Sequence, residues 1–156
     1  MKELAIYIHI PFCKSKCYYC DFISFSKLNR EINPYIDYLI KEMELYRECL
    51  KEYSIKTIFI GGGTPSYLEG HYISKILNYI YKNFNVENIQ EISIEANPGT
   101  LNKEKLSIYR ECGINRLSIG VQSLNDNLLK TIGRAHTSMD FYKSYELIRS
   151  LGFENI

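Results

Sequence analysis

Leu4-Ala5-Ile6-Tyr7-Ile8-His9-Ile10-Pro11-Phe12-Cys13-Lys14-Ser15-Lys16-Cys17-Tyr18-Tyr19-Cys20 opens the chain with a short apolar, β-prone run that Pro11 ends and three cysteines follow. The run has the length of a strand, and a proline at its end forbids further ladder pairing. The cysteines have the form C-x3-C-x2-C, so one tight loop directly after a strand carries three thiols. In parallel β/α folds the carboxyl ends of the strands hold the functional groups. The meaning of the loop therefore depends on whether this strand is the first of a parallel series.

The rest of the sequence supplies such a series. Asn33-Pro34 reads as a helix start, and Ile36, Leu39, Ile40, Met43 and Leu50 recur at helical spacing, which predicts a helix over Pro34–Lys51. Thr57–Ile60 is a short buried strand stopped by Gly61-Gly62-Gly63. Ile73, Ile76, Leu77, Ile80 and Phe84 mark a second helix, and Glu91–Ala96 is a third strand, turned by Asn97-Pro98-Gly99. A helix over Asn102–Cys112 with Gly113 just past its end follows, then a strand over Arg116–Val121. A short helix over Asp126–Ile132 precedes a longer one capped by Ser138, with Phe141, Tyr145, Ile148 and Leu151 on its inner face. Gly152 ends that helix, and Phe153–Ile156 reads as a fifth strand just beginning.

Repeated β→α units imply parallel strands with right-handed crossovers. The fold class is α/β, with the repeats forming an arc of a β/α barrel; a flat doubly wound sheet is the alternative. Residues 1–156 read as one domain, the N-terminal portion of a larger one, truncated at the fifth strand. Four strands do not close a barrel.

Composition sets outer limits. Hydrophobic residues make up 46% and charged residues 24%, and the formal net charge is +1, which gives no general footprint for nucleic acid. No apolar run approaches the ~20 residues of a transmembrane helix, and no signal peptide is visible, so the chain reads as cytoplasmic. Three of the five cysteines fall within eight residues, which in a cytoplasmic chain points to metal or catalysis before disulfides.

Thiolates suit iron–sulfur clusters and zinc. Cys13, Cys17 and Cys20 can grip three corners of a [4Fe–4S] cubane and leave the fourth iron without a protein ligand. That open iron can chelate the amino and carboxylate groups of S-adenosylmethionine (SAM), and an electron can then cleave the sulfonium bond. A zinc-stabilised binding module, with His9 or a distant residue as fourth ligand, and plain buried thiols are the other readings. Gly61-Gly62-Gly63-Thr64-Pro65 ends the second strand, where backbone can approach a ligand closely. Glu95 ends the third strand and Gln122 follows the fourth, so one rim collects polar and metal-binding groups.

Tyr7-Ile8-His9-Ile10-Pro11-Phe12-Cys13, the cysteine triple, Gly61–Ser66, Glu91–Pro98 and Arg116–Ser123 together resemble the coproporphyrinogen-oxidase-like family of radical SAM proteins, over nearly the whole chain. The resemblance implies a partial TIM-type barrel with a [4Fe–4S] cluster on Cys13, Cys17 and Cys20 near its top. It implies that Tyr7 packs near the SAM–cluster assembly and that Tyr19 fills the aromatic place before the last cysteine. It further implies that Gly62, Gly63 and Thr64 contact SAM and that Glu95 hydrogen-bonds it. Gln122 and Arg134 match positions that serve a second SAM in the family's oxidases.

Two branches of the family differ at one position here. The oxygen-independent coproporphyrinogen III oxidases carry a further cysteine two residues after the triple, where this chain has Phe22. Asp21-Phe22 resembles the heme-chaperone branch, whose members bind heme or porphyrin, with a heme-binding motif expected beyond Ile156, and are implicated in delivering heme to apoprotein acceptors. Oxidase activity is the alternative, and whether the chain is an enzyme stays open. Cys49 and Cys112 read as buried helical thiols, His9 as a hydrogen-bonded histidine or a site contact, His71 and His136 as surface residues, Tyr79 and Tyr81 as packing, and Lys14 and Lys16 as solvated charges.

Overall fold

The computed structural model describes all residues, Met1–Ile156. Six strands and five α-helices alternate: β1 (Lys2–Ile10), β2 (Phe12–Cys13), β3 (Phe25–Ser26), α1 (Ile32–Tyr46), β4 (Tyr53–Gly62), α2 (Gly70–Asn83), β5 (Glu91–Ala96), α3 (Lys103–Glu111), β6 (Arg116–Ile119), α4 (Asp126–Thr131) and α5 (Ser138–Ser150). The main sheet is parallel throughout, in the order β1-β4-β5-β6.

That order decides between the two architectures. A doubly wound sheet reverses its strand order at a switch point and buries both faces. Here the order follows the chain. Ile8, Ile10, Ile58, Ile60, Ile92, Ile94 and Leu117 belong to one core cluster with Ile36 of α1, Ile73, Ile76, Leu77 and Ile80 of α2, Leu106 of α3 and Ile148 of α5. The intervening strand residues point the other way. They are Tyr7, His9, Phe59, Gly61, Glu91, Ser93, Glu95, Arg116 and Ser118, where a barrel has its lumen. Arg116 pairs there with Glu91 at 3.0 Å, and Ser93 donates to the same carboxylate at 2.6 Å. The molecule is an arc of a barrel, helices outside and polar groups inside.

Most elements lie where the sequence predicts them, but the strand predicted over Arg116–Val121 stops at Ile119, the fifth strand predicted over Phe153–Ile156 is a single bridge at Asn155, and four other differences follow. The first helix spans Ile32–Tyr46 rather than Pro34–Lys51, and Asn33 does not cap it; its side chain donates to Asp37 inside the helix instead. The early end has a long-range cause: β4 pairs with β1 from Lys2↔Tyr53 onward, and the chain must turn through residues 47–52 to reach that register. β4 is correspondingly longer than predicted, with a register shift between Leu4 and Ala5 that makes Lys56 a bulge. α5 is capped by Thr137, one residue before Ser138, through a reciprocal bond with Asp140. Cys49 lies exposed in the turn after α1, whereas Cys112 is buried as predicted.

At the end of the chain, the Leu117 amide donates to the Asn155 carbonyl at 3.0 Å, and Arg116 and Asn155 form a parallel bridge. Phe153 is buried in the core cluster.

Ile94 sits at the centre of the sheet, fully buried. Ile94→Ala removes atoms that the surrounding helices cannot replace, and is expected to destabilise folding by about 2–5 kcal/mol. Urea unfolding followed by circular dichroism measures this.

Candidate functional site

Four strand ends build one cavity of about 260 Å³. The loop after β1 brings Cys13, Cys17, Tyr19, Cys20 and Phe22; the end of β4 brings Gly62, Gly63 and Thr64; β5 and the turn after it bring Glu95 and Asn97. Gly120 and Gln122 follow β6, and Arg134 follows α4. Of the residues singled out from the sequence, all but Tyr7 line this cavity. Tyr7 stands outside it, 58% exposed, with its hydroxyl 2.9 Å from His9 Nδ1. Burial, then the nearby Glu95 carboxylate, raise the Tyr7 hydroxyl above its ordinary value.

The cysteine loop is held on every side. Residues 12–13 pair in parallel with residues 25–26, closing its base, and Phe25 N donates to Pro11 O at 2.7 Å. This two-residue ladder carries no periodic pattern in the sequence. His9 Nε2 lies 2.8 Å from Ile23 O, so His9 is a hydrogen-bonded residue bracing the loop. Lys16 is not a free solvated charge: its ammonium donates to Phe22 O at 2.6 Å and to Ser24 Oγ at 2.9 Å. Tyr18 N donates to Ile132 O at 3.1 Å, and the Tyr18 ring packs on Gly133, tying the loop to the end of α4.

The glycine loop lies against this frame. Gly63 N donates to Ile10 O at 2.9 Å and Thr64 N to Phe12 O at 2.8 Å, so pairing with the first segment continues past the end of β4. Gly62 has φ +115°, and a Cβ there would stand 2.7 Å from the His9 ring, so no other residue fits without displacement. A Cβ on Gly63 would come within 3.0 Å of Cys13 Sγ. The Glu95 carboxylate accepts from Gly62 N at 3.0 Å through Oε2.

Two sulfurs have donors aimed at them. Thr64 Oγ1 donates to Cys13 Sγ at 3.5 Å, and Arg134 Nη1 donates to Cys17 Sγ at 3.6 Å. Arg134 Nη2 donates to Asn97 Oδ1 at 2.7 Å and also to Gly120 O, while its Nε is buried with no partner. Gln122 takes a left-handed backbone at φ 62°, uncommon for a residue with a side chain and typical of functional turns. Burial is the main cause that raises the Tyr19 hydroxyl above its ordinary value, against the Arg134 guanidinium, which lowers it.

These residues fit a cluster. No three His, Cys, Asp or Glu side chains stand close enough to share one ion. A cubane is larger than an ion and takes each thiolate on a different iron. Three thiols around a glycine-floored cavity, two of them already accepting hydrogen bonds, match that demand.

Sequence reasoning missed Asn97 as more than a turn residue, and it placed His136 at the surface. His136 is only 6% exposed, with Nε2 3.2 Å from Val121 O. Burial first, and then the Arg134 guanidinium, lower its imidazole below the ordinary value. A histidine depressed on folding contributes stability that is complete above the unfolded value, ~6.5, and is lost as pH falls toward the folded one. The urea midpoint is therefore expected to drop between pH 7.5 and 5.5, and His136→Gln to reduce that drop. Asp140 and Glu91, both held below the carboxylate range by hydrogen bonds, act only at more acidic pH.

Residues 7–156 match the family described as the Radical SAM superfamily. The heme chaperone HemW of Lactococcus lactis subsp. lactis (strain IL1403) is 42% identical over 155 residues, which cover 99% of this chain and 40% of that protein. The oxygen-independent coproporphyrinogen-III oxidase-like protein HemZ of Bacillus subtilis (strain 168) is 38% identical over 160 residues, covering 99% of this chain and 32% of that one. Among solved structures, coproporphyrinogen III oxidase (HemN) from Escherichia coli, a radical SAM enzyme, overlays with a TM-score of 0.89 at 29% identity, covering 98% of this chain and 35% of its own. The chain thus spans 40% or less of the length of these relatives. A match that runs from residue 7 to residue 156, on a fold that overlays a radical SAM enzyme this closely, makes the chain a member of the radical SAM superfamily.

Proposed function

We propose that this chain is the cluster- and SAM-holding part of a heme chaperone. The observation that carries the reading is the meeting of Cys13, Cys17 and Cys20 with Gly62, Gly63, Thr64 and Glu95 around one cavity of about 260 Å³. When bound, a [4Fe–4S] cluster supplies an open iron for SAM and the electron for reductive cleavage of its sulfonium bond.

The chain's own residues have separable tasks. Cys13, Cys17 and Cys20 hold the cluster. Glu95 is fixed by Gly62 N through one carboxylate oxygen, and its other oxygen is left to accept from the amino group of SAM. Gly62 and Gly63 keep the floor low enough for that group to reach it, and Tyr19 shields the cysteine loop. Thr64 turns its hydroxyl to Cys13 and its amide to Phe12 O, so its part is to bound the SAM cavity and steady the cysteine loop. Gln122 and Arg134 close the wall after β6 and α4. Tyr7 acts at the rim, bonded to His9.

Heme as ligand, apoproteins as acceptors and a cytoplasmic location are proposed for the full-length protein. Support comes from the HemW relative, named a heme chaperone, and from Phe22 at the position of the oxidases' further cysteine. Phe22 lines the cavity, largely exposed, and it cannot ligate iron. No helix is long and apolar enough to cross a membrane. Coproporphyrinogen oxidation is the second reading, favoured by the HemN fold.

Anaerobic reconstitution with iron and sulfide is expected to give about four irons and matching acid-labile sulfide per chain. Changing all three of Cys13, Cys17 and Cys20 to Ala should abolish both. Tetrahedral zinc without sulfide would refute the cluster. The full-length protein should bind heme, read from a Soret band, and leave coproporphyrinogen III unchanged under reducing conditions; turnover would favour the oxidase.

A further inference from the structure

Cys17, Thr64, Asn97 and Arg134 line two cavities at once: the one that holds the cysteine loop and a smaller polar one of about 140 Å³ behind it. Within this shared wall, Asn97 touches the other polar side chains in a way that fixes every hydrogen. A guanidinium only donates, so the Asn97 atom 2.7 Å from Arg134 Nη2 is the carbonyl oxygen. The amide nitrogen then faces Thr64 Oγ1, 3.0 Å away, and must donate to it. The Thr64 hydroxyl has a single proton. With a lone pair already filled by Asn97, that proton is free for Cys13 Sγ at 3.5 Å. The guanidinium is rigid and planar, so anchoring Nη2 on Asn97 and Gly120 O also aims Nη1 at Cys17 Sγ.

The turn itself does not need this side chain. Its backbone is held by Asn97 N donating to Ser66 Oγ at 3.1 Å and by Thr100 N donating to Asn97 O at 3.2 Å. The amide is therefore available for the wall.

We propose that Asn97 is a positioning residue that directs two hydrogen-bond donors, Thr64 and Arg134, onto two of the cluster-holding sulfurs, and so raises the potential at which the cluster accepts an electron. The inference rests on the cluster reading given above. Hydrogen bonds to a ligating sulfur stabilise the more negative, reduced state, and partners outside the ligand shell tune a metal centre in this way. Asn97 need touch neither iron nor SAM to do so.

The test is an anaerobic redox titration of the reconstituted protein without SAM, with dithionite as reductant and the reduced cluster read by electron paramagnetic resonance. Asn97→Ala is expected to keep the iron and sulfide content of the unaltered protein and to lower the one-electron reduction equilibrium about tenfold, a shift of about 59 mV. Asn97→Leu, which fills the same space with neither donor nor acceptor, carries the same expectation should Asn97→Ala hold less than a full cluster. Thr64→Val should also lower the potential, and Asn97→Ala made on that background should lower it less than in the unaltered protein, because the route through Thr64 is already gone and only the route through Arg134 remains. A purely structural role would change the melting temperature and leave the potential in place. An unchanged potential in fully loaded Asn97→Ala or Asn97→Leu overturns this inference and leaves the cluster reading standing. Absence of iron and sulfide from the unaltered protein overturns both.

Discussion

The pairing of β1 with β4 does not stop where the strands do. Ile10 and Phe12 go on accepting hydrogen bonds from Gly63 and Thr64, across the break that Pro11 makes in the first segment. This continued ladder lays the cysteine loop against the glycine loop. It also demands glycine: Gly62 needs its positive φ and its empty side under the His9 ring, and Gly63 lies against Cys13 Sγ. The cavity, the approach of Glu95 to Gly62 N and the contact of Thr64 with Cys13 all depend on this register. A shift of β1 by one residue would turn Tyr7 and His9 into the core and Ile8 and Ile10 into the lumen.

Polarity divides the molecule along the sheet. The helix side is an isoleucine-rich core, and the other side carries Glu91, Ser93, Glu95, Arg116 and Ser118. Each of these strands thus contributes apolar side chains to stability and polar ones to chemistry at alternate positions. Polar groups deeper in the rim are mostly spoken for: Ser66 by Asn97 N, the buried Lys105 by Ser66 O and Thr100 O, and Asn97 by Thr64 and Arg134. Arg134 Nε is the exception, buried without a partner in the wall of the site.

What could be read from the sequence followed from local rules. β5 and α4 carry strong patterns and punctuation, and they lie within a residue of where those place them. The three cysteines, the glycines and Glu95 were legible because each ends a strand, and parallel strands bring their ends together. The misses have long-range causes. α1 ends at Tyr46 because the β1–β4 register overrides a helical repeat that continues to Leu50. The β2–β3 ladder is two residues long and too short to show a period. His136 is polar in sequence yet buried, its Nε2 set against the Val121 carbonyl in the turn after β6. The role of Asn97 depends on Thr64 and Arg134, which lie 33 and 37 positions away.

The bracing of the cysteine loop has a thermodynamic side. Many small metal-binding modules are unstructured until the metal arrives, so that ligation and folding are one event. Here a base ladder, a histidine, a lysine and a backbone tie to α4 have already fixed the backbone between Phe12 and Ser26. On the cluster reading proposed above, a chelator preorganised in this way would give up little conformational entropy on taking its cofactor.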